Sequence, residues 1–276
     1  MIKPTTSQEI TILPKPIETP LTQIPDFGWI KCENSQHTQS VKYRLVYSRI
    51  IQGMTDAKIH KGSCLIEASA GSTGVALAWA GKKLGHPVEI HSYDMPNPKY
   101  DTIRELGAKL VLWPQSTPFE DIMLQIKCKS KLPTYWHLNQ YNRKMLTNAY
   151  RDYGREIYCQ MCHCKERPDV FFAPVGTGGI IHGIGEYLKL YYPDMQIIAF
   201  EPEEGSSIHG MRNADIIQLG EYDPYDRSFP NDRIFIKDNI EMTQENNLKL
   251  GLGSQLMLEY SKQIHASKKI LMIAVD

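Results

Sequence analysis

One lysine stands at the predicted start of a helix and could act as a nucleophile. Lys42 comes just before the apolar-periodic stretch at residues 45–51, and Arg44 lies two positions after it. A neighbouring positive charge and a helix dipole can lower the pKa of a lysine into the range suited to Schiff-base chemistry. Most lysines are solvated surface groups, so this assignment needs support from other motifs.

A glycine-rich turn follows an apolar segment in the second half of the chain. After Val175 it consists of Gly176, Thr177, Gly178 and Gly179. Glycines let the backbone come close to an anion, and N–H groups at the start of a helix point toward that anion. The turn therefore predicts a phosphate site, although a tight turn that packs a helix on a strand has the same composition.

A second turn is rich in small hydroxyl side chains and also precedes a predicted helix. It consists of Ser69, Ala70, Gly71, Ser72, Thr73 and Gly74. Hydroxyl and N–H donors at a helix N-terminus suit a carboxylate, such as that of an amino acid. A helix N-cap by Ser69 or Ser72 would explain the same residues without any ligand.

The elements that must position these turns alternate between strands and helices. Apolar and β-branched runs predict strands at residues 63–67, 88–92, 109–113, 170–173 and 196–200. Helices are predicted at residues 73–84, 99–106 and 181–190. The alternation is typical of α/β proteins, and we expect two doubly wound parallel-sheet domains with the ligand in the cleft between them. The polar, aromatic stretch at residues 215–232 is predicted to be a surface loop.

Composition points to a small-molecule ligand. The chain of 276 residues has 31 Lys plus Arg against 31 Asp plus Glu, and 42% of its residues are hydrophobic. A balanced charge argues against a nucleic-acid partner, and the apolar stretches are too short or too broken by glycine to span a membrane. We therefore expect a cytoplasmic protein with no nucleic-acid or membrane partner.

The six cysteines are expected to be free thiols, because their spacing in a chain of this size does not suggest a disulfide framework. Cys159, Cys162, His163 and Cys164 form a cluster that raises a zinc hypothesis. A structural zinc site normally needs a second ligand pair at recognisable spacing, and we find none in the sequence. No metal site is therefore predicted.

Taken in chain order, these motifs resemble the cysteine synthase (O-acetylserine sulfhydrylase) branch of the fold-type II pyridoxal-phosphate enzymes, which belongs with the tryptophan synthase β superfamily. The resemblance covers nearly the whole chain. It is carried by Thr19-Pro20-Leu21, Lys31-Cys32-Glu33, Ser40-Val41-Lys42-Tyr43-Arg44, Glu67 to Gly74, Asn139-Gln140-Tyr141, Gly176 to Gly179 and Glu201-Pro202-Glu203.

The resemblance implies roles for individual residues. Lys42 would bind pyridoxal 5'-phosphate as a Schiff base and later move the α-proton of the substrate, Ser72 would contact the ring hydroxyl of the cofactor, and Ser254 its pyridine nitrogen. The cofactor phosphate would be held by Gly176, Thr177, Gly178 and Gly179. The substrate carboxylate would be bound by Ser69, Ala70, Gly71, Thr73 and Gln140.

The resemblance also implies domain limits and an assembly. Residues 1–40 plus 150–276 would form a larger cofactor-phosphate domain, and residues 41–149 a smaller substrate-carboxylate domain. Members of this branch are typically homodimers, so a homodimer is expected.

Several positions depart from the family pattern. Ser72 stands where the family usually has asparagine, Ile180 where the phosphate loop ends in a hydroxyl residue, Tyr43 where aspartate follows the lysine, and Gly253 in place of the first of two serines. The chain ends on a strand predicted at residues 270–275, and we expect the loop and helix that follow it in relatives to be missing from the pocket and the dimer face.

The activity that the resemblance implies is β-replacement on an activated serine, either O-acetylserine or O-phosphoserine, with sulfide as the nucleophile and L-cysteine as the product. β-Elimination of cysteine or serine is an alternative, and Ser72 favours it because desulfhydrase-like relatives also carry serine there. A catalytically impaired relative that serves as a binding or regulatory subunit is a further alternative, which the departures from the pattern favour.

Overall fold

Two sheets organise the chain. The computed structural model describes residues 13–217, 219–238, 250–264 and 268–274. The strands are β1 (Leu21–Ile24), β2 (Gly28–Cys32), β3 (Cys64–Ala68), β4 (Val88–Tyr93), β5 (Lys109–Trp113), β6 (Tyr135–His137), β7 (Val170–Pro174), β8 (Gln196–Pro202), β9 (Asp232–Ile236) and β10 (Ile270–Ala274). The α-helices are α1 (Lys42–Thr55), α2 (Ser72–Leu84), α3 (Lys99–Glu105), α4 (Phe119–Ser130), α5 (Arg143–His163), α6 (Gly179–Lys189) and α7 (Leu252–Ile264).

The larger sheet has six strands in the order β1-β2-β10-β7-β8-β9, and all of its pairs except β1 with β2 are parallel. The smaller sheet has four parallel strands in the order β5-β4-β3-β6. Helices connect most of the parallel strands, whereas β8 and β9 are joined by a long segment whose only helical turn, among the residues described, is a short 3-10 turn at Gly220–Tyr222. The predicted α/β class with two parallel sheets is confirmed.

The predicted elements agree closely with the observed ones. The strand predicted at residues 109–113 is β5, and α2 ends where Gly85 takes the left-handed conformation at φ +70°. Glycine has no Cβ to clash in that conformation, so it ends helices readily. The strand predicted at residues 270–275 is observed as β10 up to residue 274, and residue 275 lies outside the described residues.

Helix α1 is fixed at its first turn by buried ion pairs. Arg44, only 6% exposed, donates from Nε to Glu33 Oε2 at 2.8 Å and from Nη1 to Glu156 Oε2 at 2.8 Å. Its guanidinium group also lies 3.9 Å from the centre of the Tyr153 ring. These contacts tie α1 to α5 and to the chain that follows β2, so the start of α1 has a defined position.

The prediction of a surface loop at residues 215–232 is wrong for part of this segment. Tyr225 is only 4% exposed and packs against the turn before α6, and Asp223 pairs with Arg212. The sequence suggested a surface position because polar residues and prolines surround this tyrosine. In the structure its ring is buried in the hydrophobic core around α5 and α6, so the composition of the neighbouring residues did not predict its position.

The cysteine cluster, the absence of a membrane span and the domain limits were also predicted. Cys159, Cys162 and Cys164 are exposed free thiols, and within the described ranges no three His, Cys, Asp or Glu side chains are grouped as metal ligands. None of the helices in the described part of the chain has the length and apolar character needed to cross a membrane. The domain limits predicted at residues 40/41 and 149/150 stay a prediction, and the second of them falls inside α5.

Candidate active site

A cleft lies at the carboxyl ends of strands from both sheets. Its volume is ≈ 480 Å³, which is in the range of small-molecule sites. The turns after β3, β4, β6 and β7 all contribute to its wall, as expected for a ligand site in parallel α/β sheets. The residues that line it include Lys42, Ser69, Ala70, Gly71, Ser72, Thr73, His91, Asn97, Gln140, Tyr141, Gly176, Thr177 and Arg212.

Lys42 lines this cleft as the first residue of α1. Its side chain is half-buried, and its Nζ lies 3.9 Å from the point where a Cβ would stand on Gly176. Burial, and then the nearby charge of Lys99, lowers the pKa of Lys42 from 10.5 to about 8. The expectation that Arg44 supplies this charge is wrong, because Arg44 is neutralised by two carboxylates.

The predicted phosphate turn divides into two parts. Gly176 and Thr177 line the cleft. Gly178 has φ +81°, and a Cβ there would lie 2.9 Å from the Tyr225 Cβ, while a Cβ on Gly179 would lie 2.7 Å from Tyr150 Cε2. These last two glycines are therefore required for packing at the start of α6, whose first N–H groups have no partner within the helix.

The predicted carboxylate turn is organised by Ser69. Its Oγ accepts hydrogen bonds from Gly71 N at 3.2 Å and from Gly74 N at 3.0 Å. The N-cap residue of α2 is Gly71 and not Ser69 or Ser72, but Ser69 accepts from an N–H of the first helical turn and so stabilises the start of the helix from outside it. The N–H groups of Ser72 and Thr73 are at the first turn of α2, where a helix offers no acceptor of its own.

Thr73 and Gln140 meet although they are far apart in the sequence. Thr73 Oγ1 donates to Gln140 Oε1 at 2.8 Å, and Gln140 Nε2 donates to Ala68 O at 2.6 Å. The backbone of Gln140 donates to Glu67 Oε2 at 2.9 Å. Gln140 is thereby held in one orientation next to the turn, with both residues on the wall of the cleft.

Two further predicted residues have different positions. Ser72 lines the cleft, and its Oγ accepts from Lys99 Nζ at 2.6 Å. Ser254 is buried in α7 and is not among the residues that form the cleft wall. Its predicted contact with a pyridine nitrogen stays a prediction.

Arg212 is a site residue to which the sequence gave no role. It donates from Nε to Gly176 O at 2.7 Å and from Nη1 to Ile217 O at 2.9 Å, and Nη2 pairs with Asp223. These bonds join the turn after β7 to residues 217 and 223, and Ile217 lines the cleft. Residues 209–213, which include Arg212, also resemble the cysteine synthase branch, though more loosely than the motifs named above, and this was the signal in the sequence that could have identified it.

His91 lines the cleft and belongs to a buried polar chain. Its Nδ1 accepts from Trp113 Nε1 at 3.0 Å, so the ring proton is on Nε2, which lies 2.8 Å from Glu89 Oε1. Burial lowers the pKa of His91 despite this carboxylate. Glu89 is paired in turn with Lys129 and Lys109.

The charged groups at the cleft are positive. Among the described residues that form its wall there is no aspartate or glutamate. Lys42 lines it, Lys99 contacts its wall, and the N-termini of α2 and α6 open at it. This arrangement suits a ligand with anionic groups.

Comparison with known proteins gives consistent matches. A family model described as "Pyridoxal-phosphate dependent enzyme" matches residues 12–241. A cysteine synthase of Aquifex aeolicus is 32% identical over 257 residues, which cover 85% of this chain and 76% of that protein. Cysteine synthase B of Salmonella typhimurium is 32% identical over 205 residues, which cover 70% of this chain and 66% of that protein.

A solved structure shows the same architecture. A hydrogen sulfide-producing enzyme from Fusobacterium nucleatum superposes with a TM-score of 0.75 at 25% identity, and the match covers 90% of this chain and 80% of that one.

Proposed function

The chain belongs to the pyridoxal-phosphate-dependent enzyme family, and we propose that it transfers sulfide to an activated serine to give L-cysteine. The activated serine is O-acetylserine or O-phosphoserine, and the products are cysteine and acetate or phosphate. One observation carries the proposal: a lysine with a lowered pKa lies in one cleft between a glycine turn and a hydroxyl turn, each opening a helix.

The residues of the cleft fit the cofactor of this family. Lys42 Nζ lies beside Gly176, where the lack of a side chain keeps the space open. A Cβ on Gly176 would lie 2.8 Å from Gly210 O, so no other residue type fits there without a shift. We propose that Lys42 binds the cofactor covalently and that backbone N–H groups of residues 176–179 bind its phosphate.

When bound, pyridoxal phosphate supplies an electron-withdrawing ring that stabilises negative charge at the α-carbon of the substrate. The protein positions the substrate: N–H groups of Ser72 and Thr73 bind the carboxylate, and Gln140 fixes the Thr73 hydroxyl. The amine of Lys42, which is partly neutral near pH 7, accepts the α-proton on Nζ. Tyr141 and Phe119, whose ring centres are 5.0 Å apart, form an apolar wall that limits water.

The test uses purified protein loaded with pyridoxal phosphate. We expect a visible absorbance band that Lys42→Ala lacks, and cysteine formation from O-acetylserine plus sulfide and from O-phosphoserine plus sulfide in separate assays. A protein that stays colourless with added cofactor, or that makes neither cysteine nor pyruvate from any of these substrates, would refute the proposal and favour a binding or regulatory role.

The second candidate function is β-elimination of cysteine, which releases sulfide, ammonia and pyruvate. Two observations favour it: Ser72 stands where the resembling family usually has asparagine, and the Fusobacterium nucleatum neighbour is a hydrogen sulfide-producing enzyme. Incubation with cysteine alone, with pyruvate measured, separates the candidates. Pyruvate release faster than cysteine formation would make elimination the main reaction.

We also propose a homodimer in the cytoplasm. The resemblance to cysteine synthases supports the dimer, and the six free cysteines support a reducing compartment. Light scattering coupled to gel filtration measures the mass of the assembly, and a monomer at micromolar concentration would contradict the first statement. Fractionation of source cells tests the location, and recovery of the protein in the membrane or secreted fraction would contradict a cytoplasmic location.

A further inference from the structure

Glu67 is a fully buried carboxylate next to the cleft. It belongs to β3, is 0% exposed, and is not among the residues that line the cleft. Within the described residues no lysine or arginine forms an ion pair with it, and His137 Nε2 lies 3.3 Å from its Oε1. Burial of a carboxylate costs free energy unless hydrogen bonds satisfy it, so the contacts of Glu67 indicate what it holds in place.

The carboxylate of Glu67 joins the end of β3 to the segment after β6. Its Oε1 accepts from Ala68 N at 2.7 Å, and its Oε2 accepts from Gln140 N at 2.9 Å. The same segment also donates from Leu138 N to Ile66 O at 3.2 Å. Two backbone N–H groups, which cost free energy when they are buried without an acceptor, thus depend on one side chain.

The segment after β6 needs support because of its backbone conformation. Asn139, which precedes Gln140, has φ +64°, a left-handed conformation that is uncommon outside glycine. Arg49 of α1 holds the same segment from another side, since its Nε donates to Leu138 O at 3.0 Å. The segment is therefore fixed between β3 and the helix that begins with Lys42.

Gln140 links Glu67 to the turn after β3. The side chain of Gln140 accepts from Thr73 Oγ1 at 2.8 Å and donates to Ala68 O at 2.6 Å. Gln140, Thr73 and Ala68 line the cleft, whereas Glu67 does not. The direction of the Thr73 hydroxyl therefore depends on a bond that Glu67 makes, outside the cleft, to the backbone of Gln140.

We propose that Glu67 is a positioning residue for substrate binding: it holds Gln140 so that Thr73 and the N–H groups at the start of α2 are arranged to bind the α-carboxylate of the amino-acid substrate. Glu67 touches neither substrate nor cofactor in this role. The inference rests on the proposed function only in taking an amino acid as the ligand. The phosphate turn follows β7 of the larger sheet, so the loss of Glu67 should weaken substrate binding and leave cofactor capture by Lys42 unchanged.

The experiment measures binding of L-alanine and of L-alaninamide to the cofactor-loaded protein by isothermal titration calorimetry. L-Alanine has a free carboxylate and no leaving group on its β-carbon, so neither replacement nor elimination consumes it. In Glu67→Gln, two donors face the position of Oε1 and one faces Oε2, so the amide keeps its oxygen toward the pair and turns its NH₂ group toward Gln140 N. Glu67→Asp keeps the charge but is one methylene group too short to reach both N–H groups.

Glu201→Gln is the matched control because Glu201 is equally buried and also accepts from a backbone N–H. Its Oε2 accepts from Ala214 N at 2.8 Å, and its Oε1 pairs with Arg233. It lies on β8 of the larger sheet and does not line the cleft. Circular dichroism and urea unfolding verify that each variant is folded and measure any general loss of stability.

We expect Glu67→Gln and Glu67→Asp each to weaken L-alanine binding by about tenfold, the effect of one hydrogen bond to a charged group, and Glu201→Gln to bind as the wild type does. L-Alaninamide should bind more weakly than L-alanine to the wild type and change little among the variants. Unchanged L-alanine affinity in a folded Glu67 variant, an equal loss for both ligands, or a loss of cofactor capture would overturn the inference, as would a wild type that binds no L-alanine.

A double-mutant cycle tests the route through Gln140. In a Gln140→Ala background, Glu67→Gln should change L-alanine affinity by less than about threefold, because the side chain that Glu67 positions is absent. A loss of about tenfold in both backgrounds would overturn the inference, since Glu67 would then act independently of Gln140. If this coupling is found while no cysteine is formed from O-acetylserine or O-phosphoserine plus sulfide, the inference stands and the proposed reaction falls.

Discussion

The reactivity of Lys42 toward the cofactor should reach its maximum at much lower pH than that of an ordinary lysine. Burial and the charge of Lys99 lower its pKa from 10.5 to about 8. At pH 7 a pKa of about 8 leaves roughly one-tenth of the amine neutral, whereas 10.5 leaves about 0.03%. Only the neutral amine attacks an aldehyde, so the reactive fraction of Lys42 at pH 7 should be roughly 300-fold larger than the ordinary pKa allows.

The assay follows covalent capture of pyridoxal phosphate by apo-protein through the rise of visible absorbance at a series of pH values. The capture rate should rise about tenfold per pH unit below the pKa of Lys42 and level off above about pH 8. N-acetyl-lysine amide, measured in parallel, corrects for the titration of the cofactor itself. Lys42→Ala should capture none.

Two outcomes would refute this reasoning. A capture rate that follows the model amine and still rises near pH 10 would mean that Lys42 is not desolvated in the folded protein. Visible absorbance of equal strength in Lys42→Ala would mean that another amine captures the cofactor.

Two substitutions test the geometry around the cleft. Thr73→Val removes the hydroxyl that donates to Gln140, so KM for the amino-acid substrate should rise about tenfold while kcat changes less; a change in kcat alone would contradict a binding role. Gly178→Ala places a Cβ 2.9 Å from the Tyr225 Cβ at φ +81°, and should lower the free energy of unfolding in urea by about 1–3 kcal/mol. Gly205→Ala is the control, because Gly205 has φ +82° with nothing within 4 Å; an equal loss in both variants would mean that backbone strain alone accounts for the effect.

The order of strands, helices and turns followed from the sequence because each depends on neighbouring residues. Periodicities of two and 3.6 residues separate strand from helix, and Gly85 and Gly107 take the left-handed conformation that ends the helices before them. The same local logic placed Lys42 at the start of α1 and the two turns at the starts of α2 and α6. Local rules apply here because short-range sterics and turn chemistry act within a few residues.

Local sequence patterns gave wrong or incomplete predictions where contacts with residues far away in the sequence determine the position of a side chain. Arg44 is close to Lys42 in sequence, but it is turned toward Glu33 and Glu156 and so does not supply the charge near that amine. Tyr225 is surrounded by polar residues in sequence, yet it packs on the turn before α6. In both cases a long-range contact outweighs the nearest neighbours in sequence.

The sequence by itself therefore determined the fold class, the family and the turns from which the site is built. Only the tertiary structure decided that β10, the last strand, inserts between β2 and β7, and that Lys99 lies next to Ser72. Strand order and the distances between charges depend on the packing of segments far apart in the chain. No periodicity or local motif encodes those distances, so the electrostatics of the cleft could be described only after the two sheets were in place.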